Sequence, residues 1–191
     1  MRRNLLIAIL YTAVSTVLLG IGYPLLITGL ARVFFPAKAN GSLIYSRGVL
    51  VGSALIGQPF SGPRYFHSRP SSAGNGYDAA ASGGSNLGPT NQKLVDRISA
   101  EVKPLSTEHP GEPVPIDLIT TSASGLDPDI TPAAAEFQVS TVAHARGLSE
   151  ADVRAIVQRH TSQRQLGFLG EPRVNVLELN CDLDHLSSGR K

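Results

Sequence analysis

"LLIAILYTAVSTVLLGIGYPLLITGL" runs from Leu5 to Leu30 without a charged residue. At about 1.5 Å of rise per residue, a helix of this length crosses a hydrocarbon core roughly 30 Å thick. Its polar groups are Ser, Thr and Tyr hydroxyls, which can bond within the helix or to a neighbour. The competing reading is a cleavable signal segment, and Ala37-Lys38-Ala39 resembles an A-x-A cleavage site. Signal cores run to only about 7–15 residues. An uncleaved membrane anchor is therefore expected.

The flanks of the span hold Arg2 and Arg3 before it and Arg32 and Lys38 after it. By the positive-inside count they are nearly balanced. A short N-terminal tail with two Arg stays in the cytoplasm, and Arg32 can snorkel from the far end. The N-terminus is expected inside and the rest of the chain outside the cytoplasm. Phe34-Phe35-Pro36 ends the span with interfacial aromatics. The expected layout is an anchor over 1–36 and an extracytoplasmic body over 37–191.

Within the span, Ala8, Thr12, Thr16 and Gly20 recur at i+4 and share one helix face. Small residues on one face let another helix approach, because van der Waals contact drives association in lipid. Pro24 follows at the next step. It cannot donate to the Gly20 carbonyl, so a kink is expected there.

Beyond Asn40 the chain carries 13 Lys and Arg against all 15 of its acidic residues, a net of −2. Such a body has no electrostatic footprint for nucleic acid. Cys181 is the sole cysteine, which rules out an intrachain disulfide.

Two runs read as strands, Ser42–Tyr45 and Val49–Ile56. Leu94, Val95, Ile98 and Val102 give a helical stripe closed by Pro104. Ser106–Pro113 reads as a polar linker, and Val114, Ile116 and Leu118 alternate as in a half-buried strand. Thr131 can cap a helix with Pro132 at its first position and Gly147 at its end. Ser149 caps the next helix, which carries Val153, Ile156, Val157 and His160 on one side. Val174–Leu179 reads as a strand with apolar residues on both faces. The expected class is α+β: one transmembrane helix, then a domain with a small mixed sheet and about three helices.

Known catalytic signatures are missing from the sequence. Gly74-Asn75-Gly76-Tyr77-Asp78-Ala79 fits the letters G-x-G-x-x-G/A. A dinucleotide fingerprint, however, follows a strand and opens a helix within one βαβ unit. These glycines instead follow Arg69-Pro70-Ser71-Ser72, and no helix is expected before about Pro89. There is no G-K-[ST], no D-K-T-G, no G-x-S-x-G and no HExxH. The loop over Tyr65–Gly88 reads instead as a recognition surface, with Tyr65, Phe66 and Arg69 as anchors, since aromatic and Arg side chains are enriched at hot spots. The best candidate polar site is the turn holding Ser122, Ser124, Asp127 and Asp129. Its competing reading is a turn and helix cap, with Gly125 supplying the turn. Only Asp127 and Asp129 bring charge there, and a cation site needs several oxygen ligands.

Six stretches then match a known family. They are "ANGSLI" (39–44), "GSALIGQPF" (52–60), "YFHSRPS" (65–71), "ASGGSNL" (81–87), "SASGLDPDI" (122–130) and "GEPRVNVLELN" (170–180). In this order the chain resembles, over nearly its full length, the KdpC family of the bacterial Kdp potassium-transporting ATPase. One departure is Thr141, where many members carry Arg. The resemblance implies a non-catalytic subunit of a four-subunit inner-membrane complex. Its partners would be a channel-like potassium-binding subunit, a P-type ATPase subunit that hydrolyses ATP, and a small membrane subunit, all in contact with membrane lipid. ATP and potassium ion would be ligands of the complex, with no cofactor assigned to this chain. The family is also described as a catalytic chaperone that raises ATP affinity in the hydrolysing subunit. The alternative from a different class is an independent membrane-anchored hydrolase using Ser124 or Ser85.

Overall fold

The computed structural model describes residues 1–189, and they fall into two compact units, one over Met1–Leu43 and one from Ile44 onward.

The first unit is a continuous 33-residue helix over Arg2–Phe34 followed by one short turn of helix. It comprises α1 (Arg2–Ser15), a π-helical segment (Thr16–Gly22), α2 (Tyr23–Phe34) and α3 (Pro36–Ala39). None of its helical residues is buried. The wide turns lie just before Pro24. A proline nitrogen cannot close the usual bond to the residue four back, and i→i+5 pairing takes over, as in the bond from Tyr23 N–H to the Leu18 carbonyl. The expected kink is thus a change of helical register. Gly20 stays stacked on Thr16, since a Cβ built on Gly20 would lie 3.7 Å from Thr16 Cγ2.

The second unit contains two small sheets. β1 (Leu43–Ser46) and β2 (Val49–Ser53) pair as a hairpin closed by Arg47 and Gly48, both at positive φ, +52° and +78°. Positive φ at both turn residues gives the twist that two-residue hairpins need. The other sheet has the order β3-β5-β4, with β3 (Asp129–Ile130) and β4 (Thr161–Ser162) antiparallel to the central β5 (Arg173–Asn175). Asp129 pairs with Asn175, Ile130 and Thr161 both with Val174, and Ser162 with Arg173.

Four helices complete this unit. α4 (Gln92–Glu108) is capped by the Asn91 side chain, and α5 (Pro132–Arg146) by Thr131. Gly147 ends α5 in the left-handed conformation, and α6 (Glu150–Arg159) is capped by Ser149. α7 is Val176–Gly189. The core gathers Val139, Val142 and Ala143 of α5, Val153, Ile156 and Val157 of α6, Val174 of β5, and Val176, Leu179 and Leu183 of α7. At about 25 cal/mol per Å² of apolar area, each of these Val, Leu and Ile side chains contributes roughly 1.5–3 kcal/mol when enclosed.

The α+β class holds, with three local departures. α4 does not stop at Pro104 but runs on to Glu108, and Leu105 carries its apolar stripe onto the core. Packing of that stripe outweighs the one backbone bond lost at proline. The expected strand over 114–118 is a 3₁₀ turn at Ile116–Leu118, where Pro113 and Pro115 lack the N–H groups a strand ladder requires. The expected strand over 174–179 lasts only to Asn175. There the Asn175 side chain accepts from Glu178 N at 3.1 Å, and α7 begins.

Candidate functional site

The Tyr65–Gly88 segment is threaded into the body rather than laid over it. Its first residues are held by two buried amide side chains. Asn180 of α7 accepts from Phe66 N at 2.9 Å and donates to Phe66 O at 2.9 Å. Gln138 of α5 accepts from His67 N at 2.7 Å and donates to His67 O at 3.3 Å and Ala134 O at 3.1 Å. Two adjacent peptide groups are therefore gripped from two helices. The clamp leaves the buried polar groups paired, as a low-dielectric interior demands.

Phe66 is accordingly a core residue, with no exposed surface. This corrects its expected place on a docking face: an aromatic in a Gly-rich loop is equally suited to plug the interior. Tyr65 is half-buried. Its hydroxyl donates to Asp184 at 3.2 Å, its ring lies 5.5 Å from that of Phe60, and the Arg146 guanidinium sits 4.9 Å over it. Arg146 also pairs with Asp184 at 2.9 Å. Sequence reading missed Arg146, whose only signal is a cation at the C-terminal end of a helix. Arg69 donates to Thr120 O and Thr120 Oγ1 at 3.3 and 3.2 Å and to Thr121 O at 3.3 Å, with Asp127 3.7 Å away.

The second half of the loop interlocks with the turn at Ser122–Asp129. Ser71 Oγ donates to Gly125 O at 2.6 Å and accepts from Tyr77 N at 2.7 Å and Ala73 N at 3.1 Å. Gly83 N and Ser82 Oγ both donate to Ser124 O at 2.9 Å. Gly57 N donates to Leu126 O at 2.8 Å, and a Cβ on Gly57 would lie 2.5 Å from Asp127 O. Four of the sequence motifs thus meet at one turn. The fingerprint glycines are engaged in the same way, Gly74 N to Ala81 O at 3.1 Å and Gly76 N to Ala73 O at 2.8 Å. Amides turned onto their own chain do not fit a phosphate.

The polar turn is also committed internally. Ser124 Oγ accepts from Leu126 N and lies 3.4 Å from Ser122 Oγ, and Asp127 accepts from Asp129 N at 3.1 Å. Asp129 pairs with Arg173 at 2.9 Å and accepts from Asn175 at 3.2 Å. Burial raises the Asp129 carboxyl above its ordinary range, against the pull of Arg173 and Asn175. The Asp127 and Glu178 charges add to the rise. Among the described residues, no three His, Cys, Asp or Glu side chains are grouped to hold a metal ion. Ser124 has no histidine partner there, so the arrangement offers no activated serine.

The body also carries open clefts, one of them beside the clamped segment. A cleft of about 510 Å³ lies between α4, α5 and the clamped segment, lined among others by Ser68, Tyr77, Glu101, Glu108, Phe137 and Thr141.

Comparison with known proteins accounts for the motifs. The chain is 66% identical to the potassium-transporting ATPase KdpC subunit of Koribacter versatilis, over 96% of this chain and 95% of that one. It is 57% identical to the KdpC subunit of Acidobacterium capsulatum (94% and 96%) and 55% identical to that of Caulobacter vibrioides (93% and 90%). The family described as "KdpC: K+-transporting ATPase, c chain" matches residues 5–185, and the chain belongs to it.

Proposed function

We propose that this protein works as a non-catalytic assembly and stabilising element, anchored by its helix and docked on the other subunits of a potassium-transporting ATPase. The observation that carries this reading is the bare helix. None of its 33 residues is buried, and Ala8, Thr12, Thr16 and Gly20 lie exposed along it. The docking partners are a channel-like potassium-binding subunit, the P-type subunit that hydrolyses ATP, and a small membrane subunit. Potassium ion and ATP are ligands of that complex.

The N-terminus lies in the cytoplasm of the inner-membrane-bound protein, and the body lies outside. Support comes from Arg2 and Arg3 ahead of an unbroken apolar span. A body so placed does not touch cytoplasmic ATP. Any rise in ATP affinity of the hydrolysing subunit then passes through contacts between membrane helices. Tyr65 and Arg69, whose side chains are partly exposed at the body surface, add to docking there. Purification of the chain with its partners in mild detergent tests the reading. A stable stoichiometric complex is expected; a monodisperse chain with hydrolase activity of its own would replace it. Labelling of Cys181 from one side of sealed vesicles decides the orientation.

A further inference from the structure

The cleft between α4 and α5 has a chemistry that the docking role does not use. Glu101 and Glu108 lie seven residues apart on α4, two turns along one face. Glu101 makes no ion pair or hydrogen bond among the described residues, and Glu108 is met only by the neutral hydroxyl of Thr141 at 2.7 Å. Among the described residues no Lys or Arg lines the cleft, and its ionisable nitrogen groups are the His67 and His109 rings. Ser68, also in its lining, is 7% exposed, and its buried hydroxyl has no partner. Leu105 and Phe137 supply apolar wall, the latter with its ring 4.1 Å from that of His109 and tilted 40° to it.

We infer that this cleft receives an organic cation, a guanidinium or ammonium group carried on an aliphatic stem. Among the described residues the two carboxylates face no Lys or Arg in the cleft and so select positive charge, and the apolar wall selects a carbon stem over a bare metal ion, for which no three-ligand group exists there. The Ser68 hydroxyl supplies an acceptor that the fold leaves idle. Glu101 also helps to hold the Tyr77 hydroxyl protonated, behind the larger effect of burial. That hydroxyl donates to Arg69 O at 2.7 Å, so it does not neutralise the carboxylate. The same chemistry comes from a free amine or from an Arg or Lys of a partner subunit; the second source rests on the docking role proposed above.

The test uses the full chain in detergent, titrated calorimetrically with agmatine. Saturable binding is expected, weakened at least about tenfold in Glu101→Gln/Glu108→Gln. Thr141→Arg, which tethers a guanidinium beside Glu108, should weaken it to the same extent. That outcome assigns the cleft to free amines. If agmatine does not bind, the partner source requires that both variants lose co-purification with the ATPase subunits while keeping the wild-type unfolding midpoint. Equal agmatine binding by wild type and variants overturns the inference, as does no binding together with normal assembly of the variants. A wild-type chain that fails to co-purify refutes the docking role instead, and the agmatine titration alone then judges the cleft.

Discussion

Every large apolar side chain between Leu5 and Leu30 is exposed, whereas Phe66, in a loop of glycines and serines, is wholly enclosed. The two stretches have opposite compositions and opposite fates. The span is long and apolar enough to cross a membrane, and it keeps nothing inside the fold. The loop is poor in apolar residues because its backbone packs against backbone. At Gly84 within the loop, and at Gly125 in the turn that meets it, a Cβ would come within 3.0 Å of a neighbouring main-chain atom. Small residues therefore mean two things in one molecule. In the span, on the docking role proposed above, they would permit another helix to approach, and in the loop they permit the chain to approach itself.

The largest effect should come from emptying the enclosed aromatic. Phe66→Ala is expected to cost roughly 3–5 kcal/mol in denaturant unfolding of the body. Asn180→Ala should cost about 2 kcal/mol or more, because it strips the partners from a buried N–H and a buried C=O. Leu18→Ala in the span should leave the same transition where it was. A Phe66→Ala body as stable as wild type would break the contrast, by showing that the loop is as loosely held as its composition suggests.

Gly125→Ala comes next. Gly125 sits at φ +66°, and its new Cβ would lie 2.6 Å from Gly83 O and 2.7 Å from Ala73 N. Both neighbours are main chain and cannot swing away, so a loss of about 2 kcal/mol or more is expected. Gly88→Ala, with open space and no positive φ, should change stability by no more than about 0.5 kcal/mol. Similar midpoints for the two variants would mean that the loop does not depend on close approach.

On the other side of the comparison, Gly20→Leu should leave body unfolding unchanged and reduce recovery of the complex in detergent, since bulk on a small-residue face blocks a partner helix. Full recovery of the complex would make the exposed row incidental. A shifted body transition would show that the helix supports the fold after all.

The parts of the fold that were legible in sequence are those governed by local chemistry. Thr131-Pro132 and Ser149 start their helices, and Gly147 stops one, because caps and left-handed glycines act within one turn. The errors arose where local signals competed. Val174–Leu179 is dense in branched residues, yet Val176, Leu179 and Leu183 repeat at helical spacing and Asn175 stands three residues before Glu178. That capping signal was available and outweighs strand propensity. Pro104 is a breaker by rule, but the stripe resumes at Leu105. The clamp on Phe66 and His67 had no signal at all. It joins residues 114 and 71 positions apart, and a lone Asn or Gln on a helix announces nothing.

The smallest effect expected is at Asp129, where charge enters the turn that the loop packs against. Its carboxylate contacts Arg173 at 2.9 Å, yet burial outweighs that attraction and raises its pKa. The Arg173 side chain is 46% exposed, so solvent screens the pair. A raised carboxyl in the folded state means that folding takes up protons. The Asp129 contribution is therefore fully present below the unfolded value, near pH 4, and is lost as pH rises through the folded one. Asp129→Asn keeps an oxygen to accept from Asn175 and removes the titrating group. Its stability at neutral pH should lie within about 1 kcal/mol of wild type. Between about pH 4 and pH 7, wild type should lose stability relative to the variant. Denaturant unfolding of both proteins across that range measures the difference. If wild type instead gains on the variant as pH rises, the Arg173 pair dominates. The loop's anchoring turn would then be held by charge, and the contrast with the uncharged span would extend from composition to energetics.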